Sequence, residues 1–446
     1  MSYIVYKLGG TSQCKIGYDR IINILKDNVK NNIKSFIVLS AVSCVTNNLV
    51  KFTETKNHIY IDKVLELNYN LIKELELEKE LFDDIKNKLL ELCHNYIKSY
   101  DMTCIYEKSE IIGYGEVFST NIFYKYIDNN TNELYIPLIE LFNSYDFIKS
   151  KKEIYQCNST TEFYFDLRKF NKEDINNNQW YSDKYDVNIF QGFIGSTPSG
   201  NKVLLGRGGS DTTGSLIANA IDAIFYEVWT DVDGIYTADP RIFDANLIPK
   251  IDYELIQELA SMGAKVMHPL SIKSCFDKNI PIYVKNTFND KAEGTKITNL
   301  DESKTNTKST LFYALQKNET IFKIKSLNMW NSFGFLNDIF RKFSENKIDV
   351  NIVTTSQFSV SATTSEQNKY KLLELKEILS ENYEVSMIND CTVLSVVTRE
   401  IKELLTNSNF YNINSEIIHI SDNNMTINIV LRDFNPNIVE NFRIFL

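Results

Sequence analysis

The 446-residue chain has no paired cysteine motif. Its seven cysteines are odd in number and scattered, with no C-x-x-C and no cysteine and histidine cluster of metal-ligand spacing. This pattern excludes a disulfide-stapled or zinc-stabilised fold, and reduced thiols fit a cytosolic protein best. We therefore expect a cytoplasmic location and no metal ion held by side chains.

Long apolar runs and excess positive charge are missing too. No apolar run approaches the roughly 18 residues that would span a bilayer, and Lys7 interrupts an N-terminal stretch already too short for a signal peptide. The 58 acidic residues outnumber the 48 Lys and Arg, and the net charge of −10 argues against nucleic acid or a membrane as partner. With 43% hydrophobic residues, the chain can form packed cores.

The first part of the chain has the pattern of alternating strands and helices. A strand over 3–8, a Gly-Gly turn, a helix around 19–25 and a strand over 35–40 form a βαβ unit. Further predictions are one or two long helices over 61–100, short strands and loops over 150–186, strands over 187–194, 203–205 and 224–229, and a helix through 216–221. The polar stretch 289–309 is predicted to be a linker and the main domain boundary.

Beyond that linker the pattern predicts a small α+β module of the split βαβ kind. Strands are expected over 321–324, 350–353, 358–362 and 393–397, and helices over 335–343 and 369–382. Residues 391–446 are short for a second copy, which must be trimmed or completed by a strand from elsewhere. At about 100 to 200 residues per domain, the length predicts between about two and four domains.

Four segments carry the chemistry, although the chain has no P-loop, protein-kinase or Rossmann signature. They are Lys7-Leu8-Gly9-Gly10-Thr11-Ser12, the glycine-rich bend Gly206 to Thr213, Trp229 to Arg241, and Met262 to Pro269. Glycines let backbone amides approach an anion, and Arg207 could clamp a carboxylate or phosphate. Ser210 or Asp211 could cap the helix after the bend. Taken singly, each segment also has an ordinary structural interpretation. The first fits a strand-to-helix turn, the second a surface loop before a capped helix, and the third a solvated Asp-Gly turn. In the fourth, Lys265 could extend to the surface and His268 could be structural.

Together and in this order, the four segments resemble the aspartate kinases of the amino acid kinase superfamily. The matching motifs are K-x-G-G-T-S, Q-G-F-I-G, L-G-R-G-G-S-D-x-T, W-T-D-V-x-G-I-Y-T-x-D-P-R and G-A-K-V-x-H-P. Ser326 to Met329, Gly334 to Leu336 and Val353 to Ser356 resemble the first regulatory ACT module of the monofunctional, lysine-sensitive type. The resemblance implies an α/β fold with a mostly parallel sheet sandwiched by helices, followed by α+β ferredoxin-like ACT modules. The expected domains are residues 1–300, 308–390 and 391–446.

The resemblance also implies an activity, the transfer of the ATP γ-phosphoryl group to the β-carboxylate of L-aspartate. The product, 4-phospho-L-aspartate, begins the route to lysine, threonine and methionine, and Mg²⁺ would be held mainly by the phosphates. The implied catalytic residues are Lys7, Asp211 and Lys265. The implied nucleotide site adds Gly9, Gly10, Thr230, Asp231, Tyr236, Arg241 and Val266. The implied substrate site consists of Ser40, Thr46, Glu116, Arg207 and Ser210, with Glu116 on the ammonium and Arg207 on the α-carboxylate.

An effector site is implied in the first ACT module, with lysine as the amino acid and a homodimer or higher homo-oligomer formed through these modules. Its residues would be Met329, Ser332, Gly334, Phe335, Leu336, Asp349 and Asn351. The family aspartate for the effector's amino group falls at Asn351, and Asp349 is expected on the same face of one strand. Lysine inhibition is then either weak, or strong because Asp349 supplies the charge. A second departure is Cys44, at a position where relatives carry glycine.

Two alternatives remain open at this point. A kinase for glutamate or another small acidic amino acid would keep the phosphate loops and change Glu116 and Arg207. A catalytically silent amino-acid sensor would lose Lys7, Asp211 or Lys265, all of which are present. The length leaves no room for a fused dehydrogenase, so a bifunctional enzyme is not expected.

Overall fold

A computed structural model describes residues 2–99, 105–134, 139–152, 163–165, 185–264, 267, 269–299, 311–325, 334–401, 417–423 and 425–435. The chain divides into two compact units. The first comprises Met1–Ile235, Leu247–Tyr253 and Val266–Leu300, and the second comprises Tyr236–Asn246, Glu254–Lys265 and Asp301–Leu446. Within the described residues, no helix is long and apolar enough to cross a membrane.

An eight-stranded sheet forms the centre of the first unit. Its strands, in chain order, are β1 (Ser2–Leu8), β2 (Ile33–Leu39), β3 (Ile139–Phe142), β6 (Val187–Gln191), β9 (Phe225–Thr230), β12 (Lys250–Ile251), β13 (Ile282–Asn286) and β14 (Thr295–Ile297). Their order across the sheet is β12-β14-β13-β9-β1-β2-β6-β3, and the six strands from β13 to β3 are all parallel. The predicted, mostly parallel sheet is confirmed.

Helices accompany this sheet at the positions where apolar residues recur with helical spacing. They are α1 (Lys15–Lys30), α2 (Val45–Thr55), α3 (Ile59–Glu74), α4 (Lys79–Lys98), α5 (Ile105–Leu134), α6 (Gly209–Ala220) and α8 (Pro269–Phe276). Between α6 and α8 in the chain, α7 (Tyr253–Ser261) belongs to the second unit except for its first residue. The stretch 61–100 therefore holds two long helices. One cluster of buried side chains joins β1, β2 and β6 to α1 through α5, because each of these elements presents an apolar face to it.

A smaller four-stranded sheet, in the order β5-β4-β7-β8, consists of β4 (Ile148–Ser150), β5 (Phe163–Phe165), β7 (Ile194–Ser196) and β8 (Lys202–Leu204). The predicted strand 187–194 is thus broken, because Phe193 takes a positive φ of 69° between β6 and β7. Two short strands, β10 (Ile235–Tyr236) and β11 (Leu247–Ile248), complete the list for this part of the chain. In the described part of the predicted linker, residues 289–299, strand β14 pairs with β12 and β13 and buries Thr295 and Ile297.

Within the described residues, the second unit contains a six-stranded antiparallel sheet, two helices that pack on it, and most of α7. Its elements are β15 (Phe312–Lys325), α9 (Phe335–Glu345), β16 (Val353–Thr355), β17 (Ser359–Thr364), α10 (Lys369–Ser380), β18 (Glu384–Val397), β19 (Ile417–Asp422) and β20 (Thr426–Leu431). The strand order is β16-β17-β15-β18-β20-β19. The predicted strand over 350–353 begins later, at Val353, so Asp349 and Asn351 precede the strand and do not share a face of it.

The 14-residue strands β15 and β18 each serve two cores. One half of the pair packs with α9 and α10 around Phe322, Ile339 and Leu375. The other half joins β20, where Leu394 and Ile429 pack with Phe243 of the same unit. A register shift between Gln316 and Ile321 separates the halves. Residues 312–316 of β15 therefore pair with the C-terminal end of β18, which in turn pairs with β20. The domain limits predicted from sequence remain predictions.

Candidate active site

A cavity of about 590 Å³ opens in the first unit, where β1, β2 and β6 end. Because parallel strands place their carboxyl ends at one edge of a sheet, residues far apart in sequence meet there. The cavity is lined by Lys7, Gly10, Ser40, Ala41, Val42, Ser43, Cys44, Thr46, Asn47, Glu116, Phe193, Leu204, Gly206, Arg207, Gly208, Gly209, Ser210 and Asp211. The structure therefore brings together all five predicted substrate residues and two of the three predicted catalytic residues.

An ion pair joins Lys7 and Asp211 in the cavity wall. Lys7 Nζ lies 2.6 Å from Asp211 Oδ1, and the two side chains are only 11% and 16% exposed. Lys7 stands near the end of β1, and Asp211 lies in the first turn of α6. The pair holds an ammonium group at the edge of the cavity, where it can meet an anionic ligand.

The glycine-rich bend turns the chain into α6. Gly206 and Gly208 take positive φ values of 82° and 67°, a conformation that favours glycine. Gly208 is the N-cap of α6, and no side chain caps the helix, so the prediction that Ser210 or Asp211 caps it is wrong. The uncapped first turn and its amides therefore belong to the wall of the cavity.

Glu116 is a buried carboxylate in the same cavity. It projects from α5, is 3% exposed, and accepts one hydrogen bond through Oε1 from the backbone N–H of Ala41 at 3.2 Å. Its other oxygen, Oε2, is buried and has no hydrogen-bond partner among the described residues. Burial raises the pKa of Glu116 to about 8. A cationic group in the cavity would satisfy the unpaired oxygen and restore the charged form.

The loop from Ser40 to Thr46 is held against α5 by short contacts. A Cβ on Gly115 would lie 2.8 Å from Ala41 Cβ, so glycine permits the close approach. Ser119 Oγ donates to the Ser40 carbonyl at 2.7 Å, and the Ser43 N–H donates to the Gly10 carbonyl at 3.1 Å. These contacts place Glu116 beside the ends of β1 and β2.

Cys44 adopts a backbone conformation that is unusual for a residue with a side chain. It has φ 69° and ψ −10° at the N-cap of α2, and its exposed thiol lines the cavity. The left-handed region explains why glycine is expected at this position. The chain keeps the loop conformation despite the substitution.

Arg207 brings a positively charged guanidinium to the cavity that also contains the Glu116 carboxyl group. Its exposed guanidinium forms no ion pair within the part of the chain that the structure describes. Ser210, which is buried, and Thr46 add hydroxyl groups to the same wall. The cavity therefore offers both charges that a zwitterionic ligand requires.

The residues predicted to bind the nucleotide do not all line the cavity. The Gly9 N–H donates to the Trp229 carbonyl at 3.0 Å, so its amide is used within the fold, and its nucleotide role remains a prediction. Gly10 does line the cavity. Thr230 Oγ1 donates to Asp231 Oδ1 at 3.2 Å at the end of β9.

Other predicted residues fall elsewhere. Tyr236 and Arg241 belong to the second unit, where Arg241 forms a bidentate pair with Asp239 at 2.9 and 2.7 Å. Their nucleotide role remains a prediction. Four predicted site residues lie outside the described residues, namely Lys265, Val266, Met329 and Ser332.

The remaining effector residues lie in the second unit. Gly334, with φ 86°, is the N-cap of α9, and Phe335 begins the helix and packs partly on its core. Leu336 and Asp349 are exposed. Asn351 donates hydrogen bonds to Glu319, a residue that the sequence did not single out.

Sequence reasoning also missed Asn47 and Phe193 as cavity residues. Phe193 lies in the Q-G-F-I-G segment, and its N–H donates to Thr213 Oγ1 at 3.1 Å. The motif was the only signal, and it gave no role to the aromatic ring. Asn47 had no signal beyond its position after Thr46.

Fold and cavity together define a class, an α/β protein that can hold a small charged ligand where its parallel strands end. A family model described as the amino acid kinase family matches residues 2–286. The chain belongs to the amino acid kinase family.

Several relatives of the chain are aspartokinases. Lysine-sensitive aspartokinase 3 of Escherichia coli is 29% identical over 370 residues, covering 81% of this chain and 78% of the relative. Aspartokinase 1 of Arabidopsis thaliana is 30% identical over 377 residues, covering 79% of this chain and 62% of the relative. The crystal structure of E. coli aspartokinase III with aspartate and ADP has a TM-score of 0.78 at 25% identity and covers 100% of both chains.

Proposed function

We propose that this protein phosphorylates the β-carboxylate of L-aspartate with ATP, producing 4-phospho-L-aspartate and ADP. One observation carries the proposal: a single cavity contains a buried carboxylate with an unpaired oxygen, an unpaired guanidinium and a lysine ammonium. Glu116 would bind the substrate ammonium, and Arg207 would bind its α-carboxylate. The β-carboxylate would then face Lys7.

Lys7 would neutralise charge on the transferring phosphoryl group, and Asp211 would hold its ammonium in place. Phosphoryl transfer requires mainly positioning and charge neutralisation, which these groups supply. ATP would bring Mg²⁺, held mainly by its phosphates. The residues fit an anionic nucleotide, because Lys7, Gly10 and the uncapped start of α6 lie in one wall. Lys265 would be the second lysine at the phosphates, by resemblance alone.

The rival substrates are other small acidic amino acids. Contrary to the expectation from sequence, Glu116 and Arg207 do not discriminate against glutamate, because it carries the same amino and α-carboxyl groups as aspartate, so side-chain length must decide. A silent sensor is the other rival, and the intact Lys7–Asp211 pair disfavours it.

A coupled assay of ADP release with aspartate, glutamate and no acceptor tests the proposal. Glu116→Ala and Arg207→Ala should each lower kcat/KM for aspartate by about a hundredfold, which corresponds to a few kcal/mol. Nucleotide binding should be retained. Glu110→Gln is the matched control, since Glu110 lies on the same helix and pairs with Lys202 outside this cavity.

Aspartate turnover by Glu116→Ala or Arg207→Ala at the wild-type rate would overturn the site assignment. ADP release that depends on glutamate and not on aspartate would overturn the substrate assignment. A nucleotide complex without any acceptor-dependent turnover would favour the silent sensor.

We also propose that the second unit senses an amino acid, with lysine as the effector, and that copies of the chain associate through it. E. coli aspartokinase III has been crystallised with lysine and aspartate, and its fold matches this chain with a TM-score of 0.75 at 23% identity. Here the support within the chain is the antiparallel sheet with two helices, α9 and α10. Inhibition curves with lysine and threonine, together with sedimentation of the full chain, test this regulatory proposal.

A further inference from the structure

A buried carboxylate, Glu319, lies beside Asn351 in the second unit. Glu319 stands at the register shift in β15 and is 1% exposed. Asn351 Nδ2 donates to Glu319 Oε1 at 3.1 Å and Oε2 at 3.0 Å, and it lies 2.6 Å from Ser365 Oγ. The three side chains form one hydrogen-bonded cluster.

The carboxylate fixes the orientation of the Asn351 amide. An ionised carboxylate only accepts hydrogen bonds, so the amide nitrogen must face Glu319 and the amide oxygen must face away from it. The nitrogen is used by Glu319 and Ser365. The oxygen accepts no hydrogen bond from any residue that the structure describes.

Among the described residues, the Glu319 carboxylate forms no ion pair with a Lys or Arg, and no cation is among the groups that shift its pKa. Burial raises the pKa of Glu319, and hydrogen bonds from Ser365 and Asn351 oppose that rise. Buried charges in proteins are normally paired, so an unpaired one with a fixed hydrogen-bond relay is a place where a cation is expected.

We propose that Glu319 provides the negative charge for the ammonium group of an amino-acid effector, acting through Asn351, whose amide oxygen accepts from that ammonium. The inference deepens the regulatory part of the proposed function and rests on it. The charge that the resemblance implies at position 351 would then lie one hydrogen bond away, at position 319. Glu319 is then a positioning residue, and neither the weak binding expected from Asn351 nor a charge from Asp349 describes this site.

Calorimetric titration of the full chain with L-lysine tests the inference without using kinase activity. Glu319→Gln keeps the shape and removes the charge, so it should weaken lysine binding by about tenfold. The double variant Glu319→Gln with Asn351→Asp returns a carboxylate to position 351 and should restore the affinity to within about threefold. A role that is only structural would not predict this rescue.

The matched control is Glu374→Gln, which removes another carboxylate of the same unit at an exposed position and should bind lysine as the wild type does. Asp349→Asn tests the rival source of the charge, and the inference predicts that it retains wild-type affinity. If Glu319→Gln does not fold, Asn351→Ala is the second variant, because it removes the accepting oxygen and should weaken binding at least as much.

Wild-type affinity in Glu319→Gln, or in Asn351→Ala, would overturn the inference. A loss of affinity in Asp349→Asn alone would place the charge at Asp349. Failure of the wild type to bind lysine would also overturn the inference, and aspartate-dependent ADP release by the same preparation would show that the proposed catalytic function stands.

Discussion

At the scale of single residues, two charged groups carry the account of the cavity. Lys7 is paired with Asp211, and Glu116 is buried with one oxygen unpaired. The sequence predicted Lys7 near the end of a strand and Glu116 on a helix. Their burial and pairing could not be predicted, since both arise from elements that are remote in the chain.

Replacing Lys7 with alanine should slow the chemical step far more than it changes the KM for aspartate. Its ammonium stabilises the charge that develops on the transferring group, so we expect a loss of about a hundredfold or more in single-turnover rate. Lys7→Arg should also fail, because a planar fork cannot replace a compact ammonium. Lys202→Ala, which breaks an ion pair outside the cavity, is the control. An unchanged chemical step in Lys7→Ala would assign Lys7 a purely structural role.

The raised pKa of Glu116 makes the stability of the ligand-free protein depend on pH. The folded protein holds this proton up to about pH 8, whereas an unfolded chain releases it near pH 4.5. Stability should therefore fall as pH rises from 4.5 to 8, with the full penalty above 8. Glu116→Gln removes the penalty and should raise the free energy of unfolding at pH 9 by about 4 to 5 kcal/mol relative to the wild type.

Denaturant unfolding at pH 5 and pH 9 measures that difference. It should nearly vanish at pH 5, because Glu116 is then protonated in the folded state and still partly protonated in the unfolded state. A difference of equal size at both pH values would show that the side-chain change acts through packing and not through the proton.

At the scale of elements, the loop from Ser40 to Thr46 shows what sequence patterns cannot supply. Strand and helix on either side of it follow from their apolar spacing. The close approach of α5 depends on Gly115 and on Ala41 together, which a one-dimensional pattern does not reveal. In the same way, β14 was hidden in a polar stretch because its strand neighbours, not its own composition, make it a strand.

Substituting Cys44 with glycine should stabilise the protein. Glycine adopts φ 69° without the strain that a side chain incurs there, so we expect the free energy of unfolding to rise by about 0.5 to 1 kcal/mol. Cys14, an N-cap residue with an ordinary extended φ of −155°, is the matched control, and Cys14→Gly should give no such gain. Chemical denaturation of both variants decides the matter, and a loss of stability in Cys44→Gly would contradict the assignment of strain.

At the scale of the whole molecule, the order of strands and helices was predictable from the sequence because periodicity and turn residues agree over long segments. The mixed α/β unit and the antiparallel unit after it were both expected, and the motifs gave the family. The sharing of β15 and β18 between two cores was not, since polar residues interrupt both strands and only one part of each, 321–324 and 393–397, was predicted as a strand. Nor could the sequence reveal that Glu319 stands behind Asn351, because 32 residues separate them and a register shift aligns them.

The central claim is that this protein transfers a phosphoryl group from ATP to the side-chain carboxylate of aspartate. Trapping the acyl phosphate with hydroxylamine tests it most directly, because only a phosphorylated carboxylate yields a hydroxamate. We predict hydroxamate formation that requires both ATP and aspartate, that is much weaker with glutamate, and that is lost in Lys7→Ala. Hydroxamate formed equally from glutamate, or ATP consumed without any hydroxamate from aspartate, would contradict the account.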